Sequence, residues 1–418
     1  MCEQTCRTVF FRLLHTQQIE FNLQFSEGDG YSVEDAIEHS GFGSFQVKLS
    51  AIAGFAWMAD SMEVMVVSII GPVLACEWVL SSTQEALIST VVFAGMMLGS
   101  PALGYVGDAY GRRVALILSA LWALYYGLFS SITPGYIWLL ILRGLLGFGV
   151  GGVPQAITYY SEFLPSKSRG KCLVLIEVAW ALGAMFEVIL AIVILLPFGW
   201  RWWLVASALP LFVFALMCIW LPESPRYDMA AGFRARAQRS LERVAKSNGK
   251  SLPKGNLKEE PKLPRGSFLD LLIPSYRRTT ILLWVIWFVG AFSYYGVVLM
   301  STQLIAAGST CSGNAFVEAV SSTCVAGCKT LTLDDYIELL WTSTAELPGL
   351  LLAVVLIDRI GRKATMALGF LFFAIVCFLL FICMEGTLLV FMLFVARGLA
   401  AAAFQVVYVY TPEVSVLA

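Results

Sequence analysis

The sequence predicts an all-α polytopic membrane protein, a helical bundle that crosses a bilayer about ten times. Composition is the first reason. Of 418 residues, 58% are hydrophobic and only 14% charged, where a soluble domain carries about 45–50% apolar and about 25% charged residues. The second reason is how the apolar residues are arranged. They form unbroken runs rather than amphipathic stripes, and each run approaches the roughly 20 residues that take a helix across ~30 Å of hydrocarbon. A net charge of −1 supplies no concentrated basic face, so no nucleic-acid partner is expected.

Ten segments meet the length requirement: 49–75, 83–107, 113–133, 136–160, 171–196, 202–221, 279–305, 336–357, 364–384 and 387–410. They read as helices because backbone inside a bilayer must satisfy its own hydrogen bonds, and barrel strands would be shorter and alternating. Residues 1–48 carry Glu20, Glu27, Asp29, Glu34, Asp35, Glu38 and both histidines, His15 and His39. That is not a signal peptide, so the first span is expected to be its own uncleaved insertion signal.

Basic residues near the spans set the orientation. With the N-terminus inside, the inner segments hold Lys48, Arg112, Arg113, Lys167, Arg169, Lys171, the basic 222–278 stretch, Arg359, Arg362 and Lys363, and the outer segments hold Arg201 and Lys329. Both termini are therefore expected in the cytosol. The organisation is a cytosolic tail (1–48), a six-span half (49–221), a cytosolic central loop (222–278) and a four-span second half (279–418). The tail is mixed in charge and expected to be mobile. Within the loop, 230–247 reads as a basic amphipathic helix with a solvated face near anionic lipid, and 251–265 as a Pro/Lys-rich linker.

Cys76, Cys311, Cys324 and Cys328 fall at or beyond the outer face, where disulfides can form. One or two bridges among them are expected, with the pairing open. No histidine accompanies them, so no metal site is expected. Cys172, Cys218, Cys377 and Cys383 read as packing residues. None of Asn22, Asn248, Asn256 and Asn314 begins a glycosylation sequon.

Two short loops follow one rule. The first contains Asp108, Gly111, Arg112 and Arg113; the second contains Asp358, Gly361, Arg362 and Lys363. Gly permits a tight turn, and Asp can pair with cations or cap a helix N-terminus. Further on, Arg143-Gly-Leu precedes Tyr160-Ser-Glu162, and Arg397-Gly-Leu precedes Tyr410-Thr-Pro-Glu413. An arginine at membrane depth is costly unless paired, so the repeated set suggests an inner-face charge network.

These loops, the duplicated halves and the long central loop resemble the major facilitator superfamily. The stretches Glu162-Phe-Leu-Pro165-Ser-Lys-Ser-Arg169-Gly170 and Pro222-Glu223-Ser224-Pro225-Arg226 resemble its sugar-porter and organic-ion branches. Trp57-Met-Ala-Asp60-Ser-Met-Glu63, Phe292-Ser-Tyr-Tyr295-Gly and Tyr408-Val-Tyr-Thr-Pro-Glu413 look closest to the synaptic vesicle 2-related group, its protein-like branch included. The resemblance implies six-helix halves rocking around a central cavity. It also implies inner-face residues that latch the outward-open state. By matching positions these are Asp108, Arg112, Arg113, Arg143, Glu162, Arg169, Glu223 and Arg226 in the first half. Asp358, Arg362, Lys363, Arg397 and Glu413 match in the second. The sequence departs from the pattern at Ala109, where a cation is usual, and at Val354, where Gly is usual. Four spans instead of six follow the central loop, which reads as missing final helices or a splice-altered tail.

The cargo must be argued from the cavity residues. Asp60 and Glu63 stand at i and i+3 near the middle of span one and share a helix face. Two carboxylates at that depth must be shielded, and they disfavour joint ionisation, so a proton or an organic cation is expected between them. A structural pairing with Arg143 is the alternative. Glu187 reads as a deep cavity residue, while Glu177 and Glu346 are weaker candidates, Glu177 being assigned as readily to the latch as to the cavity. Tyr294 and Tyr295, with Phe292, Trp284, Trp57, Trp180 and Tyr125, supply aromatic surface for cation–π contact. Paired glutamines typical of sugar porters are absent from span seven, which holds Gln303 near its outer end; span ten has Gln405.

No catalytic motif appears, so the chain is expected not to be an enzyme, and no cofactor is expected. The function predicted is secondary active or facilitative transport of a small organic solute by alternating access. Whether the solute is a cation or a sugar, and whether protons drive it, stays open. A non-transporting membrane adaptor or an inactive shortened transporter is the alternative. The lipid bilayer is the expected surrounding, in a vesicle or the plasma membrane, with the oligomeric state open.

Overall fold

A computed structural model describes residues 30–258, 271–307, 331–382 and 386–416. Apolar length decides the architecture: among the described residues, ten helices are long and apolar enough to cross a membrane. They are α2 (Ser44–Trp78), α3 (Ser82–Tyr110), α4 (Arg112–Ser131), α5 (Tyr136–Ser161), α6 (Ser166–Leu190, extended by a π-turn at Ala191–Leu195), α7 (Trp200–Cys218), α10 (Pro274–Ala307), α11 (Leu333–Ile360, broken at Ala345), α12 (Arg362–Leu380) and α13 (Thr387–Val416). Each matches one expected span, with ends moved by a few residues. The break in α11 falls beside Glu346-Leu-Pro-Gly, as Pro near a helix start predicts.

α2 is the axis of the bundle: 83% of its apolar window is buried, against 17% for α12 on the periphery. Its sequence is apolar on all sides, and it packs on α3, α6, α7 and α10. Two close helix pairs repeat between the halves. α3 lies on α5 so tightly that a Cβ at Gly99 would strike the Phe148 carbonyl, and α11 lies on α13 so that one at Gly349 would strike the Gly398 carbonyl. Small residues let helix backbones approach in this way. Large side chains such as Phe292, Leu351, Phe378 and Phe381 stay exposed on the outside of the bundle, as a lipid-facing surface requires.

Three helices outside the spans form a small domain at the end where the Asp108 and Asp358 loops lie: α1 (Val33–Ser40), α8 (Pro225–Ala230) and α9 (Arg234–Ser247). Here the expectation of a mobile 1–48 tail is corrected for residues 30–48. Ser32 and Asp35 form a reciprocal capping box that starts α1, and Val33, Ala36 and Ile37 pack on Ala237, Leu241 and Leu257. The apolar stripe of α9 is thus covered by α1. Asn248 ties the two together, donating to the Ser40 and Gly41 carbonyls at 3.3 and 3.2 Å.

Candidate functional site

At the loop end, the first half carries a connected charge network. Gly111 and Gly361 each turn the chain with positive φ, +114° and +81°, as the paired loops predict. Asp108 meets Arg112 at 2.7 Å, and Arg112 Nε lies 3.6 Å from Glu162. The Arg113 backbone N–H donates to Glu223 at 3.1 Å, and Ser224 Oγ donates to Glu162. Burial raises the Glu162 carboxyl above the usual range, with Ser224 and Arg112 opposing. Arg169 and Arg226 form their ion pairs elsewhere, both with Glu34 on α1, although Arg226 still acts electrostatically on Glu162. Asp358, Arg362 and Lys363 are exposed at the same end of the second half. The Glu413 side chain lies outside the described residues.

The structure draws two arginines away from that end. Arg143, fully buried, pairs with Glu63 at 3.1 Å. Arg397, also fully buried, pairs with Glu346 at 2.8 Å and approaches Met65 Sδ at 3.3 Å. Each half therefore holds one Glu–Arg pair at its core. Glu187 is buried beside the first pair, accepting from Ser207 Oγ at 2.5 Å, and interacts electrostatically with Arg143. Of the i, i+3 couple on α2, Glu63 is thus committed to Arg143. Asp60 is buried with Oδ1 lacking a hydrogen-bond partner, and no ion pair involves it among the described residues.

Between the halves stands a closed circuit of five rings. Centroid distances run 5.7 Å from Trp57 to Trp180, 6.1 Å to Tyr294, 5.8 Å to Phe404, 5.4 Å to Tyr408 and 5.9 Å back to Trp57. Trp57 and Trp180 come from α2 and α6, the others from α10 and α13. Tyr294 also ties the halves by hydrogen bonds: Trp180 Nε1 donates to its hydroxyl, which donates to Glu346 at 3.0 Å. Tyr295 packs against Phe404 and Phe93. Phe292, Trp284 and Tyr125 are exposed on the outside of the bundle.

A cavity of about 450 Å³ opens toward the loop end. Its walls include Trp57, Trp287, Tyr408, Gln405 and Glu177, with Arg169 and Arg226 at its mouth. Glu177 Oε2 accepts from Trp57 Nε1 at 2.8 Å and from Gln405 Nε2 at 2.7 Å. Oε1 takes no hydrogen bond, and no ion pair involves Glu177, among the described residues. At the opposite end the halves are in contact: Ser68 meets Thr302, and Gln303 Nε2 donates to Glu85 at 2.6 Å. The arrangement is an apolar, aromatic chamber entered from one side, with one carboxylate held by neutral donors from both halves.

The family model described as "Sugar (and other) transporter" matches residues 16–417. The chain belongs to this transporter family. It is a multi-pass membrane transporter of the major facilitator superfamily. The Synaptic vesicle 2-related protein of Xenopus laevis is 52% identical over 386 residues, covering 92% of this chain and 70% of that protein. Organic cation/carnitine transporter 7 of Arabidopsis thaliana is 36% identical, covering 92% of this chain and 82% of that one. The partially occluded, inward open xylose transporter XylE from E. coli shares the fold, with a TM-score of 0.63 at 17% identity over 90% of this chain and 88% of that one.

Trp287, Phe404, Gln405 and Tyr408 complete the transporter's chamber. The sequence marks Gln405 against the sugar-porter glutamines and Tyr408 within the family-like Tyr408-Val-Tyr-Thr-Pro-Glu413 stretch, whereas Trp287 and Phe404 are not among the residues it singles out. Phe404-Gln405 and Tyr408, one turn apart after the apolar run 399–403, are the available signal. Cys76 is disulfide-bonded, and its partner lies outside the described residues, as do Cys311, Cys324 and Cys328. Among the described residues, no group of His, Cys, Asp and Glu could hold a metal ion.

Proposed function

We propose that the chain exchanges a small organic cation for protons by alternating access, with Glu177 anchoring the cation and Asp60 carrying the proton. One observation carries this reading. Glu177 is a buried carboxylate on the wall of an aromatic cavity, held by Trp57 and Gln405 without an ion pair among the described residues. An unpaired carboxylate in such a place is costly unless a cation or proton joins it, and the ring faces of Trp57, Trp287 and Tyr408 attract organic cations. The printed name of the Arabidopsis relative, an organic cation/carnitine transporter, agrees with this class.

Asp60 is close enough to Glu177 for the two carboxylates to interact. A cation arriving at Glu177 therefore weakens proton binding at Asp60, and a proton on Asp60 weakens cation binding, which is the coupling that exchange needs. The halves move as a six-helix body and a four-helix body, with the loop end and both termini on the cytosolic side, as the Lys and Arg bias supports. The vesicle 2-related relatives favour a vesicle membrane, whose acidic interior would drive cations inward by exchange.

The test is uptake of radiolabelled tetraethylammonium into proteoliposomes of the purified chain, with an acidic interior. Gradient-driven accumulation that is lost in Glu177→Gln is the expected result. Xylose accumulation without cation uptake would replace the cation by a sugar. No uptake of either, from protein that is folded and inserted, would favour the adaptor role.

A further inference from the structure

The mouth of the cavity carries the wrong charge for a cation unless another element corrects it. Arg169, in the first turn of α6, and Arg226, on α8, both line the entrance. α1 brings acidic groups to them. Glu34 Oε1 accepts from Arg169 at 3.0 Å, and its Oε2 accepts from Arg226, so one carboxylate spans both guanidiniums. One turn on, Glu38 accepts the Ser166 backbone N–H at 2.9 Å, where α6 begins. Residues at i and i+4 share a face, so both glutamates point at the rim together. Glu162 also interacts with Arg226, but it is engaged by Arg112 and Ser224.

The placement is built, not incidental. The apolar side of α1 is fixed on α9, and Lys258 N–H donates to the Tyr31 carbonyl at 2.8 Å. Two arginines and two glutamates leave the rim near neutrality. Without Glu34 and Glu38, neither Arg169 nor Arg226 would have a carboxylate within ion-pair distance among the described residues.

We infer that Glu34, assisted by Glu38, is a specificity-determining residue that neutralises Arg169 and Arg226 and so admits cations to the cavity. This rests on the reading that the cavity takes a cation. The mouth can be probed without any substrate. A cysteine at Thr158, exposed on the cavity wall, would be modified in detergent by a cationic methanethiosulfonate (a trimethylammonium ethyl reagent) and by its anionic sulfonate counterpart, each against the same protein without Thr158→Cys.

Adding Glu34→Gln and Glu38→Gln is expected to lower the cationic-to-anionic rate ratio about tenfold at low salt, because two uncovered charges act on the two reagents in opposite senses. The change should disappear in 1 M salt, where the screening length is ~3 Å. Adding Arg169→Gln and Arg226→Gln to the parent should move the ratio the other way, which keeps the test decisive if the glutamate variant folds poorly. Unchanged ratios in both variants would overturn the inference. A ratio that shifts as expected, in protein that never takes up tetraethylammonium, would leave the rim assignment standing and overturn the cation reading instead.

Discussion

Gln405 of α13 donates to Glu177 of α6 at 2.7 Å, and this hydrogen bond joins the two halves at the wall of the cavity. In the proposed alternating-access cycle the donor and acceptor belong to bodies that move apart and together. The contact thus belongs to one state of the cycle, and a bound cation at Glu177 would compete with or reinforce it. Trp57 supplies the second donor from α2, within the first half.

From this follows a graded series at Glu177. Glu177→Gln should abolish tetraethylammonium accumulation, and Glu177→Asp should keep part of it with weaker apparent affinity. Gln405→Leu removes one donor and leaves the carboxylate, so the half-saturating concentration should shift by about ten- to a hundredfold, the scale of one hydrogen bond to a charged group. Trp57→Phe keeps a ring and loses the indole N–H, with a similar expected shift. Uptake by Glu177→Gln equal to that of the parent would remove Glu177 from the cation site.

Asp60 makes a separate prediction. Asp60→Asn keeps the shape and removes the titrating group, so cation-for-cation exchange should persist while the dependence on the pH gradient is lost. Flux measured with and without the gradient, alongside the amount of inserted protein, checks this. Persistence of full gradient dependence would exclude Asp60 as the proton carrier.

How much of this was legible without a structure depends on how local the cause is. The ten spans follow from what hydrocarbon does to unsatisfied backbone, a property of each segment alone, and they sit where the apolar runs place them. The turns at Gly111 and Gly361 are equally local. Buried arginines announce that they need acidic partners, but the choice of partner depends on which helices become neighbours and how each is rotated. Arg143 therefore found Glu63, the structural pairing that the sequence offers as the alternative to a coupling site, and Arg397 found Glu346, rather than the loop-end acids of the repeated motif. Glu177 reads equally as latch or cavity in the sequence because its depth along α6 does not reveal the side it faces. α1 was hidden for another reason: an acidic segment next to a tail reads as solvated. The Ser32–Asp35 box and the Val33, Ala36, Ile37 stripe were the signals that it starts a packed helix.

The Glu63–Arg143 pair is expected to be structural. Glu63→Gln leaves a buried guanidinium without its counter-charge, and breaking one partner of a buried pair costs about 3–5 kcal/mol. Folded yield and thermal stability in detergent should fall sharply. Pairing Glu63→Gln with Arg143→Met removes the stranded charge and should recover most of the loss. A Glu63→Gln protein that is as stable as the parent but loses proton dependence would instead return Glu63 to the coupling site beside Asp60.

The small domain at the loop end carries its own pH signature. Asp228 on α8 is buried, and Arg236 Nη2 lies 3.2 Å from its carboxylate. Burial pushes its pKa up to about 6, with Glu223 adding to the rise and Arg236 and Arg239 opposing it. The folded state then holds this proton more tightly than the unfolded chain, whose aspartate titrates near 4. Stability must therefore fall as pH rises from about 4 through about 6, and the loss persists above that range. Its size should be on the order of 1 kcal/mol, enough to change amide-exchange protection several-fold. Protection of 33–40 and 225–247 should be greater at pH 5.5 than at pH 7.5, after correction for intrinsic exchange. Asp228→Asn should flatten that difference and raise protection at pH 7.5, since the half-exposed Arg236 contributes little as a surface partner. Greater protection of the parent at pH 7.5, reversed by Asp228→Asn, would mean that the ion pair with Arg236 outweighs the burial of the carboxylate.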